Sequence, residues 1–146
     1  MADITTFPTR HAVLVTDPKV ANLLTYTAAE IIYAGQVVEL DPGTGDQYVT
    51  PADSDDAAPI VGVALYGAAA SALVTVAGPG TICYVANEDD TTAINEGTIL
   101  EAANANVGGT VVAHTGAGYV VGLALEAIAA NGWGRALIVP YEQVIS

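Results

Sequence analysis

The sequence predicts an all-β fold: a small, pseudo-symmetric β-barrel domain with short helical connectors and an extended N-terminal arm. Three observations carry that expectation. Apolar segments are short and punctuated by turn signals. One block of sequence recurs after about 60 residues, and the first residues lack the strand-like periodicity of the rest.

At 146 residues the chain suffices for one domain and is too short for two ordinary ones. Gly43-Thr-Gly45-Asp46, Gly78-Pro79-Gly80, Gly108-Gly109, Gly116-Ala-Gly118 and Asn131-Gly132 read as turns. Between them lie strand candidates at 36–40, 59–66, 73–77, 81–85, 98–102, 110–114, 119–126 and 135–140. That rhythm suits a β-sandwich or a small barrel. The Ala-rich pieces at 68–72 and 127–130 are the expected helical connectors, too short to stand as helices without packing.

The repeat is the most informative feature. Gly35-Gln-Val-Val-Glu-Leu40 resembles Gly97-Thr-Ile-Leu-Glu-Ala102, 62 residues on. Ile60-Val-Gly-Val-Ala-Leu-Tyr66 matches Val120-Val-Gly-Leu-Ala-Leu-Glu126, 60 residues on. Two copies are too few for a solenoid, so they are read as halves of one domain, at about 33–86 and 95–146. Residues 1–24 form the arm and 25–146 the domain.

In the second copy Val121, Leu123 and Leu125 are expected on one face and Val120, Gly122 and Ala124 on the other. Val61, Val63 and Leu65 against Ile60, Gly62 and Ala64 repeat the pattern. Such strands are covered on both sides, the small face admitting a second backbone. Asp at Val63 or at Leu123 is therefore expected to unfold the domain. The arm carries Phe7, Pro8, Arg10, His11 and Asp17-Pro18, and reads as lying on a neighbour rather than wholly in its own core; the alternative is an added edge strand with a loose terminus.

Three Lys plus Arg against sixteen Asp plus Glu give a formal charge of −13. That excludes the basic footprint needed to grip nucleic acid, and it argues against an anionic membrane partner. Hydrophobic residues at 52% rule out a disordered composition, while no apolar run approaches the length of a spanning helix. A charged share of only 13% suggests apolar surface hidden in an assembly. The single cysteine, Cys83, reads as a small core residue. The start lacks a signal-peptide pattern, so synthesis in the cytoplasm is expected.

Catalytic patterns are missing from the sequence. Ser54, Ser71 and Ser146 stand outside any nucleophile elbow, and His11 and His114 have no ligand-spaced partner. Asp53-Ser-Asp55-Asp56 lacks the Gly and Glu of a calcium loop, with Ala58 and Ala64 in their places. That cluster and Glu88-Asp89-Asp90 are read as solvated turns. Glu39 and Glu101, equivalent in the repeat, are read as surface strand residues. No enzyme, metal or cofactor is expected. Trp133, between Gly132 and Gly134 and followed by Arg135, joins the two residue types most enriched at interface hot spots; its other reading is a Trp that caps the barrel end. The candidate contacts are Phe7, Arg10, His11, Trp133 and Arg135.

The run Leu24-Thr-Tyr-Thr-Ala-Ala-Glu-Ile-Ile-Tyr-Ala-Gly35-Gln-Val-Val-Glu-Leu40, then Ile60-Val-Gly-Val-Ala-Leu65 and Val121-Gly-Leu-Ala-Leu125, resembles small capsid decoration (cement, head-stabilising) proteins of tailed phages. The resemblance implies a β-tulip or β-barrel domain and no catalysis. It implies homotrimers on the outer surface of an expanded icosahedral virion shell, at three-fold and quasi-three-fold positions, bridging major capsid proteins. Direct nucleic-acid or membrane contact is not implied. The alternative is a small β-barrel module that binds carbohydrate or a cell surface, with Tyr26, Tyr33, Tyr48, Tyr66, Tyr84, Tyr119 and Tyr141 available. A third reading is a small hydrolase using Glu39 or Glu101.

Overall fold

The computed structural model describes residues 6–10, 12–53, 59–103, 108–115 and 118–143. Strands β1 (Leu23–Ala28), β2 (Val37–Leu40), β3 (Tyr48–Pro51), β4 (Ile60–Ala64) and β5 (Leu73–Ala77) close into a barrel in the order β1-β3-β2-β4-β5. Strands β6 (Ile82–Ala86), β7 (Ile99–Ala102), β8 (Val111–Ala113), β9 (Gly118–Ala124) and β10 (Trp133–Gln143) form a second sheet ordered β6-β10-β9-β7-β8. All eight strands expected from sequence exist; β1 and β3 were not anticipated. The residues 82–86, assigned by sequence to the first half, pair with β10 in the second sheet.

Pairing recurs along the chain. On β2 and β4, Val37 faces Val63 and Val38 faces Gly62, after which the register slips and Glu39 faces Ile60. On β7 and β9, Ile99 faces Leu123 and Leu100 faces Gly122, then the same slip sets Glu101 against Val120. β1 runs parallel to β3, closing the barrel, and a parallel bridge from Asn87 to Val111 links the two ends of the second sheet.

These bulges correct the face assignment. An extra residue reverses the alternation of side chains beyond it. Ile60 thus shares the larger core with Val63 and Leu65, while Val61 packs with Ala64 against the smaller one. Val121 joins Ala124 in the larger core, leaving Leu123 and Leu125 half-buried. The expected close backbone approach is present at both glycines. A Cβ on Gly62 would run into the Ala77 carbonyl oxygen, and one on Gly122 into that of Leu137.

The smaller core, built around Ile32, Val38, Val49, Val74 and Val76, draws its strand residues from the barrel alone. The larger core continues from the second sheet onto Val37, Val63 and Leu65, and so joins the two sheets. The turn before β8 seals the junction. Gln36 Nε2 donates to the Gly108 carbonyl at 2.8 Å, and the Val37 amide donates to that of Gly109 at 2.9 Å.

The helical connectors are not there: among the described residues no helix occurs. Runs of four or five alanine-rich residues cannot offset the cost of nucleating a helix. Their backbones bridge instead, with Ile32 and Ala68 exchanging two hydrogen bonds of 2.8 Å and Ile94 and Ile128 exchanging two of 2.9 and 2.8 Å.

The described part of the arm lies on its own chain. Leu14 bridges Cys83, the Tyr84 amide donates to the Val13 carbonyl at 2.9 Å, and the Ile82 amide donates to Thr16 Oγ1 at 2.7 Å. Val13 is only 2% exposed. β1 begins at Leu23, inside the segment read as arm.

Candidate interface site

β10 starts at Trp133, whose flanking glycines pack on Ala129 and Ile128 while its indole crosses onto the barrel. There it covers Gly35, where a Cβ would collide with the ring. Gly35 has φ +92°, so the position favours glycine twice over. Phe7 sets its ring edge on Trp133, centroids 5.6 Å apart at 83°, and stacks on Tyr33 at 6.4 Å and 14°. These are preferred geometries for aromatic quadrupoles. The Arg10 guanidinium lies 3.5 Å from the Tyr84 ring centroid and 5.8 Å from that of Trp133. Its Nε donates to the Ala12 carbonyl at 2.7 Å, fixing the side chain.

Arg135 faces Tyr84 across β10 and β6. Its guanidinium grips Glu126 by both oxygens, Nε to Oε2 at 3.1 Å and Nη2 to Oε1 at 3.3 Å, and its amide adds a bond of 2.8 Å to Oε2. Those hydrogen bonds hold the Glu126 carboxyl below its ordinary range and raise Arg135 further. Phe7, Arg10 and Trp133 therefore come together, with Arg135 next to them through Tyr84. His11 lies outside the described residues. Sequence reasoning missed Tyr33, Gly35, Tyr84 and Glu126 as parts of this cluster. Only the alternation of β6 and β10, which pairs Tyr84 with Arg135, carried a local signal.

Beside the cluster is a groove of about 440 Å³ lined by Thr6, Phe7, Pro8, Arg10, Tyr33 and Gly67 among others. Tyr33 is 51% exposed at its rim. The arrangement is a stacking platform with one guanidinium, suited to contact.

The acidic positions differ from their sequence reading. Glu39 is buried rather than on the surface, and its Oε1 accepts the Asp53 amide at 3.0 Å. Glu101 accepts the Thr115 amide at 2.8 Å in the same way. These carboxylates tie down the chain leaving the neighbouring strand, so their repetition is architectural. His114 Nδ1 stands 3.5 Å from Glu101 Oε1. Glu88 and Asp89 are buried too, because Thr110 Oγ1 donates to Glu88 at 2.7 Å and Asp89 closes the following turn. Of the other acidic run, Ser54, Asp55 and Asp56 fall outside the described residues. No three metal-ligating side chains gather among the described residues. Cys83 is a buried free thiol, and burial pushes its pKa up to about 11.

No family model matches the chain, and no curated protein matches it. Among solved structures, the crystal structure of the head fiber gp8.5 N base in bacteriophage phi29 is similar, with a TM-score of 0.59 at 18% identity. The likeness covers 86% of this chain and 100% of that one, so the two share an all-β fold across nearly the whole molecule.

Proposed function

We propose that the chain is a structural virion protein that binds the outside of an expanded icosahedral capsid. In this reading trimers occupy three-fold and quasi-three-fold positions and stabilise the shell by bridging major capsid proteins. The observation that carries it is the shared fold with the base of a phage head fiber, over the full length of that base. The resemblance of 24–40 and the two Val-Gly-x-Ala-Leu strands to decoration proteins points the same way. A charge of −13 supports contact with protein rather than with packaged nucleic acid. The Phe7–Trp133–Arg10 cluster, extended through Tyr84 to Arg135, supplies the aromatic and guanidinium groups that dominate interface hot spots. Attachment is noncovalent and needs no catalysis; engaging several sites at once turns modest contacts into firm binding.

The test is cosedimentation of the purified protein with expanded, undecorated shells of the cognate capsid protein. Saturable binding in multiples of three per three-fold site is expected, weakened by Trp133→Ala. Absence of binding to well-formed shells would sink the proposal. A carbohydrate-binding module is the second reading, favoured by the exposed Tyr33 at the rim of the groove. Glycan binding lost in Tyr33→Ala, without shell binding, would establish it instead.

A further inference from the structure

The barrel presents a row of side chains, Val37, Val63 and Ala77, across β2, β4 and β5. All three are fully buried, and Leu65 beside them is 4% exposed. The second sheet covers this row through the larger core, and Trp133 caps it by lying on Gly35.

The second sheet carries the corresponding row, Ile99, Leu123 and Leu137, across β7, β9 and β10. Here no described residue supplies the cover. Ile99 is 43% exposed, while Leu123, Leu125 and Leu137 are only half-buried. Gly97 takes the place of Gly35 in the repeat and shares its positive φ, +85° against +92°. Yet a Cβ on Gly97 would meet no described residue within 4 Å. Among the described residues, none fills on the second sheet the seat that Trp133 fills on the barrel.

The piece that would fill it is also in the chain. Trp133 opens β10 as Leu73 opens β5, and Leu73 is 72% exposed, the side chain without a seat. One molecule thus holds an empty socket and an unused knob, both copies of a contact it already makes internally.

We propose that a second copy of this chain docks head to tail on the Ile99–Leu123–Leu137 row, with Leu73 of one copy seated on Gly97 and Ile99 of the next. The contact repeats between chains the seating of Trp133 on Gly35 within one chain. Charge sets where two such copies can touch. Copies of −13 each repel over most of their surface, whereas this row is uncharged and apolar. A head-to-tail contact is heterologous, and it closes into a ring when its rotation divides the circle. The contact stands on the geometry above; the copy number of three rests on the proposed function and is deepened by it.

The experiment uses the full chain in sedimentation velocity and in cross-linking with a short bis-maleimide. Leu73→Cys chains are mixed with Glu96→Cys chains, Glu96 being the exposed neighbour of Gly97. Covalent pairs are expected in the mixture and in neither chain alone, the buried Cys83 staying silent in unmodified protein. Leu73→Asp should raise the dissociation constant of the oligomer by about 30-fold or more, as loss of a hot-spot side chain does. Its melting as a monomer should be unchanged. An oligomer that ignores Leu73→Asp and gives no mixed cross-link overturns the head-to-tail contact while leaving the trimer standing. Wild-type protein that stays monomeric at all concentrations overturns the contact and the trimer together. A cross-linked ring that fails to bind shells keeps the contact and removes the capsid reading.

Discussion

Asp89 shows how a single carboxylate can be structural inside a run of acids. Its Oδ1 accepts from the Thr91 amide at 2.8 Å, the Thr91 hydroxyl at 2.9 Å and the Thr92 amide at 3.2 Å. The Thr91 amide is the largest cause that holds its pKa below the ordinary 3.8. A depressed carboxylate stabilises the fold fully above the unfolded value, and the effect is lost as pH falls through the folded one. Asp89→Ala should therefore lower the melting temperature at pH 7 by a few degrees, the order expected for losing a turn or cap acceptor. The gap between variant and wild type should narrow once the pH drops below 3.8, read by thermal melts across an acid series. A gap independent of pH would show that the charge at Asp89 is immaterial. From sequence, a triple acid reads as solvent-facing because charges rarely bury. The threonines two and three residues on, which make burial tolerable here, are too common a signal to reverse that reading.

At the scale of elements, the bulges decide what each strand residue faces. Val63 and Leu123 are equivalent in the repeat, and sequence alone assigns them the same fate. The structure separates them: Val63 is fully buried in the larger core, whereas Leu123 is half-buried on the open row. Asp at Val63 places a charge where nothing solvates it and should leave no folded protein. Asp at Leu123 keeps its carboxylate within reach of water, so the chain should fold with a lowered melting temperature and lose self-association. Circular dichroism and sedimentation on the two variants check this; equal unfolding of both would erase the distinction. Eight strands were legible because β-branched runs bounded by glycine turns specify strands locally. β1 and β3 were not. Tyr48-Val-Thr-Pro51 is short and ends in proline, and Leu23–Ala28 alternates leucine and tyrosine with threonine just beyond an irregular arm. The bulges were hidden as well, since they arise from the partner strand and not from the residue run itself. The clustering of Phe7, Arg10 and Trp133 depends on contacts more than 120 positions apart, which no local pattern encodes.

The whole molecule is two sheets pressed together and strapped by the N-terminal segment, and the strap can be tested as a unit. Read from sequence, the arm lies on a neighbour rather than wholly in its own core. Yet Val13 belongs to the larger core, and residues 13–16 hydrogen-bond along the edge of β6. Burial of Val13 contributes about 1.5–3 kcal/mol, and each backbone bond about 1 kcal/mol net. Two truncations separate the roles. Removing residues 2–9 takes Phe7 from Trp133 and Tyr33 but keeps the pairing with β6, so the melting temperature should fall little while shell attachment weakens. Removing 2–17 strips the edge of β6 and uncovers the region of Cys83, a thiol now silent through burial and a pKa of about 11. That variant should melt markedly lower, and its cysteine should react with a thiol reagent without denaturant. If it melts like the full chain with Cys83 still protected, the segment is no part of the fold, and its packing on β6 has no bearing on stability.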